Sequence, residues 1–491
     1  MTDDGWVRLS PRMLLVHPIH EVLRQLPVLI ASLALGSATG NPYWTIGGVV
    51  LVVGYGAARW FTTAYRIGAD DVRLRTGVLR RAVLSLPRNR IRSVSTDARP
   101  LHRLLGLTVV EVSTGNQAGS HTTFALDAVP AGDVPRLRAL LLAGSLSAPE
   151  TQTAGAPGQV LARWQPSWLR YSPLTATGVV MIAAAFGLVA QTGLLTALEN
   201  TAVVRAGEGA AQTLGAVGTV AVVVLVLLVA SVVLAVVRSL LTFGNLELRR
   251  DADVLHLVHG LLRVREHTFD MRRLRGGTLR QPLLVRWCGG ARLDAVMTGV
   301  GGAGEASQLL PPCPRDTAES VLTALIADSE VVRGPLTRHG PVATRRRWVR
   351  ALAVPVVLAL ASGVAAAGWG VPVWVWPALA VTTAACGWLA ADRSRALGHH
   401  VGDGWLVSQG GSVLRHRDCV AAAGVVAWTV RQTLPQRRAG VATLVAATAA
   451  GQKRYEIVDV PAAAAWSIAA AASPWVTAAR WARPVAGAEL R

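Results

Sequence analysis

The chain has 491 residues, 52% of them hydrophobic, a formal net charge of +20 and a mean hydropathy of +0.40. So apolar an average argues against a string of soluble domains and for membrane spans, each needing about 20 consecutive apolar residues. The excess positive charge is spread over three separated segments with no long basic helix or tail, so nucleic acid is not expected as a partner.

In chain order, no charged residue occurs between Arg24 and Arg59, between Arg170 and Glu199, between Glu208 and Arg238, or between Arg350 and Asp392. The first and last gaps are long enough for two spans, with turns at Gly40-Asn41-Pro42 and at Gly368 to Pro372. The middle pair is separated by the loop Glu199 to Glu208. The reading is six transmembrane helices in three hairpins. Arginines flank the hairpins (Arg12, Arg24, Arg163, Arg170, Arg345, Arg346, Arg347 and Arg350 before; Arg59, Arg66, Arg238, Arg393 and Arg395 after). The positive-inside rule then places the modules and both termini in the cytoplasm of a multi-pass cell-membrane protein. Trp44, Trp164, Trp168, Trp348, Trp369, Trp374 and Trp376 read as interfacial anchors.

Each hairpin runs into an arginine-rich segment built on two glycines at one spacing: Gly77 and Gly106, Gly260 and Gly289, Gly411 and Gly440. An arginine precedes each second glycine by three residues (Arg103, Arg286, Arg437), so the chain is a triplicated module. Within the first copy, strands are expected around Tyr65-Arg66-Ile67, Val72 to Arg75, Val78 to Leu86, Arg88 to Val94, Leu107 to Val112 and His121 to Leu126. A closing helix is expected at Asp133 to Leu142. A run of strands followed by one helix is an α+β module, a barrel-like sheet capped by a helix. The second copy follows the same order to Ser320–Ala327, and the third is degraded.

The boundaries are an N-terminal cytoplasmic segment (1–23), hairpin 1 (24–60), module 1 (61–143), a linker (144–170) and hairpin 2 (171–238). Module 2 (239–328), a linker (329–350), hairpin 3 (351–391) and module 3 (392–480) complete the chain. Both linkers are Ala/Gly/Pro/Ser-rich or mixed polar, a composition that suits flexible connection.

The run Tyr65-Arg66-Ile67, Gly77-Val78-Leu79, Arg90-Ile91-Arg92-Ser93-Val94 and Pro100-Leu101-His102-Arg103-Leu104-Leu105-Gly106 resembles the bacterial pleckstrin-homology-like (PH-like) domain of YdbT-type membrane proteins. The resemblance implies a cytoplasmic PH-like β-barrel or sandwich with a C-terminal helix after each hairpin and no enzymatic activity; no cofactor is expected. It also implies a smaller membrane partner with a single PH-like domain.

Two sets of arginines are candidates for function. Arg80, Arg81, Arg88, Arg90 and Arg92, with Arg272, Arg273 and Arg275 as counterparts, form basic strand faces that either meet anionic lipid headgroups or serve as solvated edges. Arg103, Arg286 and Arg437 either present a guanidinium fork to a phosphate or carboxylate, or pin a turn. Their recurrence in all three copies, with Gly77, Gly106, Gly260, Gly289, Gly411 and Gly440, favours the structural role. No catalytic constellation is found, and Cys288, Cys313, Cys386 and Cys419 lack metal-ligand or disulfide spacing. The expectation is a non-catalytic membrane scaffold whose modules bind protein or anionic lipid. The alternative is a transporter or export component, which the uncharged spans disfavour.

Overall fold

The computed structural model describes residues 6–8, 62–68, 71–76, 82–88, 91, 93–98, 100–113, 124–142, 158–175, 225–226, 228–298, 307–368 and 370–478, with isolated positions 43, 46–47 and 54. The chain divides into two compact units, Met1–Trp164 with Leu240–Arg273, and Gln165–Ser239 with Leu274–Arg491.

In the first unit, β1 (Val7–Arg8), β2 (Ala64–Ile67), β3 (Asp71–Thr76) and β4 (Ala82–Pro87) make one antiparallel sheet in that order. β5 (Ser93–Ala98), β6 (Leu107–Ser113) and β7 (Phe124–Pro130) follow, and then the helix Val134–Leu142. Alternation along the strands puts one face inside, which is why Val72, Leu74, Val94, Val110, Val112 and Leu126 are buried. Leu137 and Leu141 of the helix close the same core, together with Ile91. Two sheets and one C-terminal helix thus share a single apolar centre.

The same order of elements recurs. β8 (Gln159–Arg163), β9 (Glu247–Asp251), β10 (Val254–His259) and β11 (Val264–Asp270) belong to the first unit. In the second unit, β12 (Leu274–Pro282), β13 (Gly290–Met297) and β14 (Gln308–Pro314) precede the helix Arg315–Ile326. Then come β15 (Gly398–Gly402), β16 (Trp405–Gly410) and β17 (Leu414–Ala421). β18 (Val425–Arg431), β19 (Val441–Thr448) and β20 (Arg454–Pro461) end in the helix Ala465–Ala472. Here Leu406, Val420, Trp428, Leu444, Tyr455 and Ile457 pack with Ala465 and Ala469 into one core.

The copies are joined through their sheets. The seven-stranded sheet runs β7-β6-β5-β11-β10-β9-β8, and the six-stranded sheet β14-β13-β12-β17-β16-β15. In each, the fourth strand of one copy pairs antiparallel with the third strand of the next. The register is the same in both: Ala98 faces Val264, and Gln281 faces Arg415. Each pair joins the residue eight before a second glycine (Gly106, Gly289) to the residue four after the next first glycine (Gly260, Gly411). Arg263 grips Asp97 across the first joint, and Thr278 donates to Asp418 at 2.7 Å across the second.

The chain just before each apolar segment pairs with the strand that follows it. β1 pairs with β2 and β8 with β9, while Thr337 bridges to His399. Composition had assigned residues 144–170 and 329–350 to linkers. Instead, Gln159–Arg163 forms β8, and Asp328 caps the helix Ser329–Arg333 through its side chain. Trp168, expected at a membrane interface, is buried in the 3-10 turn Pro166–Tyr171.

Among the described residues one helix, Pro341–Gly368, is long and apolar enough to cross a membrane. That does not support six spans. The expected hairpin over 24–60 lies outside the described residues, as does most of 171–238, of which the shorter apolar helix Leu228–Phe243 is described. The helix Val375–Ala396, expected as the last span, packs against Pro341–Gly368 but carries Asp392, Arg393 and Arg395 in its final turns.

Candidate functional site at the glycine arches and the helix boundary

The repeat signature forms one local structure three times. Short helices Pro100–Leu104, Leu283–Trp287 and Leu434–Arg438 end at Gly106, Gly289 and Gly440, which are left-handed, with φ of 66°, 73° and 67°. Each glycine donates to the carbonyl of its repeat arginine, at 3.1, 2.9 and 3.3 Å. Each glycine carbonyl in turn accepts the N–H of the residue after the last strand's terminal proline (Ala131, Arg315, Ala462), always at 2.9 Å. Glycine is the residue that adopts this conformation at no steric cost. The arch ties the short helix to the start of the closing helical segment, so the spacing encodes a fold contact.

In the second and third copies the first glycine makes the turn between the second and third strands. Gly260 and Gly411 have φ of 105° and 88°; Gly77 lies outside the described residues.

The repeat arginines point to protein acceptors in two copies of three. Arg103 donates to the Leu261 carbonyl at 3.4 Å, and Arg286 to Asp392 at 2.8 Å. Arg415 takes the other Asp392 oxygen at 2.6 Å, and Trp287 meets Trp388 edge-on, tying this arch to the end of the helix Val375–Ala396. Arg437 is exposed. Of the first basic strand face, Arg80, Arg81, Arg90 and Arg92 lie outside the described residues. Arg88 donates to the carbonyls of Gly68 and Leu140. Arg272 is held by Asp253 at 3.0 Å and Arg273 by Asp270 at 3.5 Å, while the stem of Arg275 lies beside Gly424.

Sequence reasoning missed a buried polar cluster where the helix Pro341–Gly368 begins. Asp459, 1% exposed, receives Arg347 at 2.9 Å and Gln436 at 2.9 Å, with Arg346 at 3.4 Å. Asp459 occupies a bulge between β19 and β20 with φ of 59°, a conformation Asp tolerates better than most residues. The bulge turns its carboxylate toward the helix. Arg346 has a side chain only 10% exposed, and none of its three guanidinium nitrogens has a hydrogen-bond acceptor among the described residues. Arg350 and Arg393 lie close enough to repel Arg347, so one carboxylate faces several cations. The arginines had been legible only as orientation markers, and nothing near Asp459 in the sequence marks it.

Beside this cluster, His339 Nδ1 lies 2.8 Å from the Val458 carbonyl, and its Nε2 lies 2.9 Å from His399 Nδ1. A carbonyl only accepts, so His339 carries a proton on Nδ1; burial lowers the pKa of both rings, so at neutral pH both are neutral and His399 Nδ1–H donates to His339 Nε2. Burial, with the neighbouring His339 and His400, pushes His399 down from 6.5 to about 4, and burial lowers His339 too. The unfolded chain therefore binds more protons than the folded one between about 4 and 6.5, so stability falls as pH drops through that window and is complete above it. The thermal midpoint of the full chain is expected to fall by several degrees from pH 7 to 5, less so in His399→Gln. An identical slope in that variant would remove the pair as the cause.

Among the described residues no group of His, Cys, Asp and Glu could hold a metal ion. Cys313 and Cys419 are buried, with thiols pushed up to about 12, which keeps them protonated and unreactive at neutral pH.

Two sheets around one core with a closing helix, built on a glycine arch, define a PH-like class of module. The Bacterial PH domain profile matches residues 21–145 and 201–328, just over half of the sequence, and the chain belongs to that family. No curated protein and no solved structure matches it significantly.

Proposed function

We propose that this chain is a non-catalytic integral membrane scaffold, with three hairpins returning to the cytoplasmic face and three PH-like modules that bind protein or anionic lipid there. The pairing of β1 with β2, of β8 with β9 and of Thr337 with His399 carries this reading. The two ends of each apolar segment lie side by side at one sheet edge, which fits a segment that enters and leaves a bilayer on the same side. A soluble core helix would be covered, whereas Val356, Val357, Leu360 and Val364 of the helix Pro341–Gly368 are open, Val364 at 72%. The third module stands on its repeated element order, its arch and its shared core. Anionic headgroups are favoured as ligands by Arg346, whose buried donors lack acceptors where that helix starts. A transport role finds no comparable support.

Cysteine labelling of the full chain in intact cells tests the topology. Single cysteines at Gly40, Thr201 and Gly370 are expected to react with a membrane-impermeant maleimide from outside. The exposed native Cys288 should react only after permeabilisation. Labelling of Cys288 in intact cells with silent turn positions would sink the reading.

A further inference from the structure

Two edges of the chain repeat the halves of a joint without being joined. In both internal joints the fourth strand of one copy meets the third strand of the next. By the same rule β18 should meet the third strand of a following copy, and β4 the fourth strand of a preceding one. Among the described residues both are terminal strands, in the sheets β18-β19-β20 and β1-β2-β3-β4. Strands β5 and β12, the counterparts of β18, are largely buried, whereas β18 reads exposed at Val426, Ala427, Thr429 and Arg431. Val83 on β4 is 59% exposed and Val426 on β18 is 66% exposed.

Among the described residues no strand pairs with either edge; β18 has a bulge between Val425 and Ala427, but its counterpart β12 has one between Leu274 and Gly277 and is still joined to β17. Natural sheets blunt a free edge with charges, bulges or covering segments, because an open apolar strand recruits another chain. β4 reads Ala-Val-Leu-Ser-Leu-Pro and β18 reads Val-Val-Ala-Trp-Thr-Val-Arg, with Arg431 the one charge.

We infer that β18 of one copy of this chain pairs antiparallel with β4 of a second copy, in the register of the internal joints. That register sets Arg431 opposite Ala82, Val430 opposite Val83 and Thr429 opposite Leu84. It also agrees with the faces. Leu84 and Leu86, which turn toward their own core, fall opposite the exposed Thr429 and Ala427. Trp428 and Val430, which turn toward theirs, fall opposite Ser85 and the exposed Val83. The internal joints obey the same parity: core Val94 faces Thr268, and core Val420 faces Gly276. A second copy is the favoured occupant because this chain itself carries both complementary edges. Each copy offers one of each, so the contact is head-to-tail and joins copies into a ring or a row. The inference rests on the scaffold reading for placing both edges on one side of the membrane.

Disulfide trapping in native membranes tests it, with two differently tagged full chains co-expressed, one carrying Arg431→Cys and the other Ala82→Cys. Directly opposed strand residues have Cα atoms within disulfide reach, whereas Ser85→Cys, three residues along, falls outside it. The expected result is a doubly tagged product about tenfold above the Arg431→Cys with Ser85→Cys control. It should be lost when Ala427→Lys and Thr429→Lys charge the edge. Light scattering of the otherwise unaltered full chain should show a multimer that the two lysines dissolve. A monomer, or equal trapping in both registers, overturns the inference, as does Arg431→Cys trapped only on a different protein. The maleimide topology assay on the same cells separates the failures. Turns labelled as expected without trapping would remove self-pairing alone and leave the scaffold standing.

Discussion

Asp459→Asn is expected to lower the thermal midpoint of the full chain's third module by about 15 °C or more, a loss of about 3–5 kcal/mol. Asparagine keeps the shape and the tolerance for the left-handed backbone at φ of 59°, so the change isolates charge. Arg347 and Arg346 would then be left buried with no counter-ion among the described residues, since Asp459 is the carboxylate both approach. Gln436 would exchange an ionic acceptor for a neutral one. Removing one member of a buried pair costs far more than the intact pair contributes over an apolar replacement. Arg347→Met should accordingly cost less in the Asp459→Asn background than alone, a coupling that a double-mutant cycle reads directly. Additive losses would show that the carboxylate and the guanidinium act independently. The cluster links β20 and the Leu434–Arg438 helix to the root of the helix Pro341–Gly368. Loss of the charge should therefore also loosen the module from that helix.

Much of the module was legible because its signals are local. The Gly106, Gly289 and Gly440 spacing announces a repeated turn, and alternation along Val72 to Arg75 or Leu107 to Val112 announces half-buried strands. Those segments form β3 and β6 close to where they were expected. What escaped is what depends on distant residues. No local feature of Ser93–Ala98 says that it pairs with Val264–Asp270 of the next copy. Gln159–Arg163 lay hidden in a Gly/Ala-rich stretch because its partner, Glu247–Asp251, lies beyond an apolar segment. The basic strand faces illustrate the same limit. A run such as Arg272-Arg273 looks free in sequence, yet Asp253 and Asp270 reach it once the strands are folded. Counting charge along a chain gives its sign; only the fold gives its partners.

Gly411→Ala is expected to destabilise the chain by about 4 kcal/mol or more, while Gly440→Ala should cost about 1–2 kcal/mol. Both glycines have positive φ, 88° and 67°, so both pay the left-handed strain of an L side chain. They differ in space. A Cβ on Gly440 would meet nothing within 4 Å, whereas one on Gly411 would lie 2.0 Å from the Leu414 carbonyl oxygen. That oxygen is backbone, so relief requires the turn itself to move, and β17 starts at Leu414. β17 carries the joint to β12, where Val413 also accepts the Leu283 N–H at 2.7 Å. Gly411→Ala should therefore speed amide exchange across Thr278–Gln281 as well as within its own turn, an effect Gly440→Ala should not share. Asparagine separates the two causes, because it tolerates the left-handed region but not the overlap. Gly440→Asn should recover most of the loss seen with alanine, and Gly411→Asn none of it. Equal recovery at both sites would mean that backbone conformation alone, and not the close approach of Leu414, selects glycine at the head of each joint.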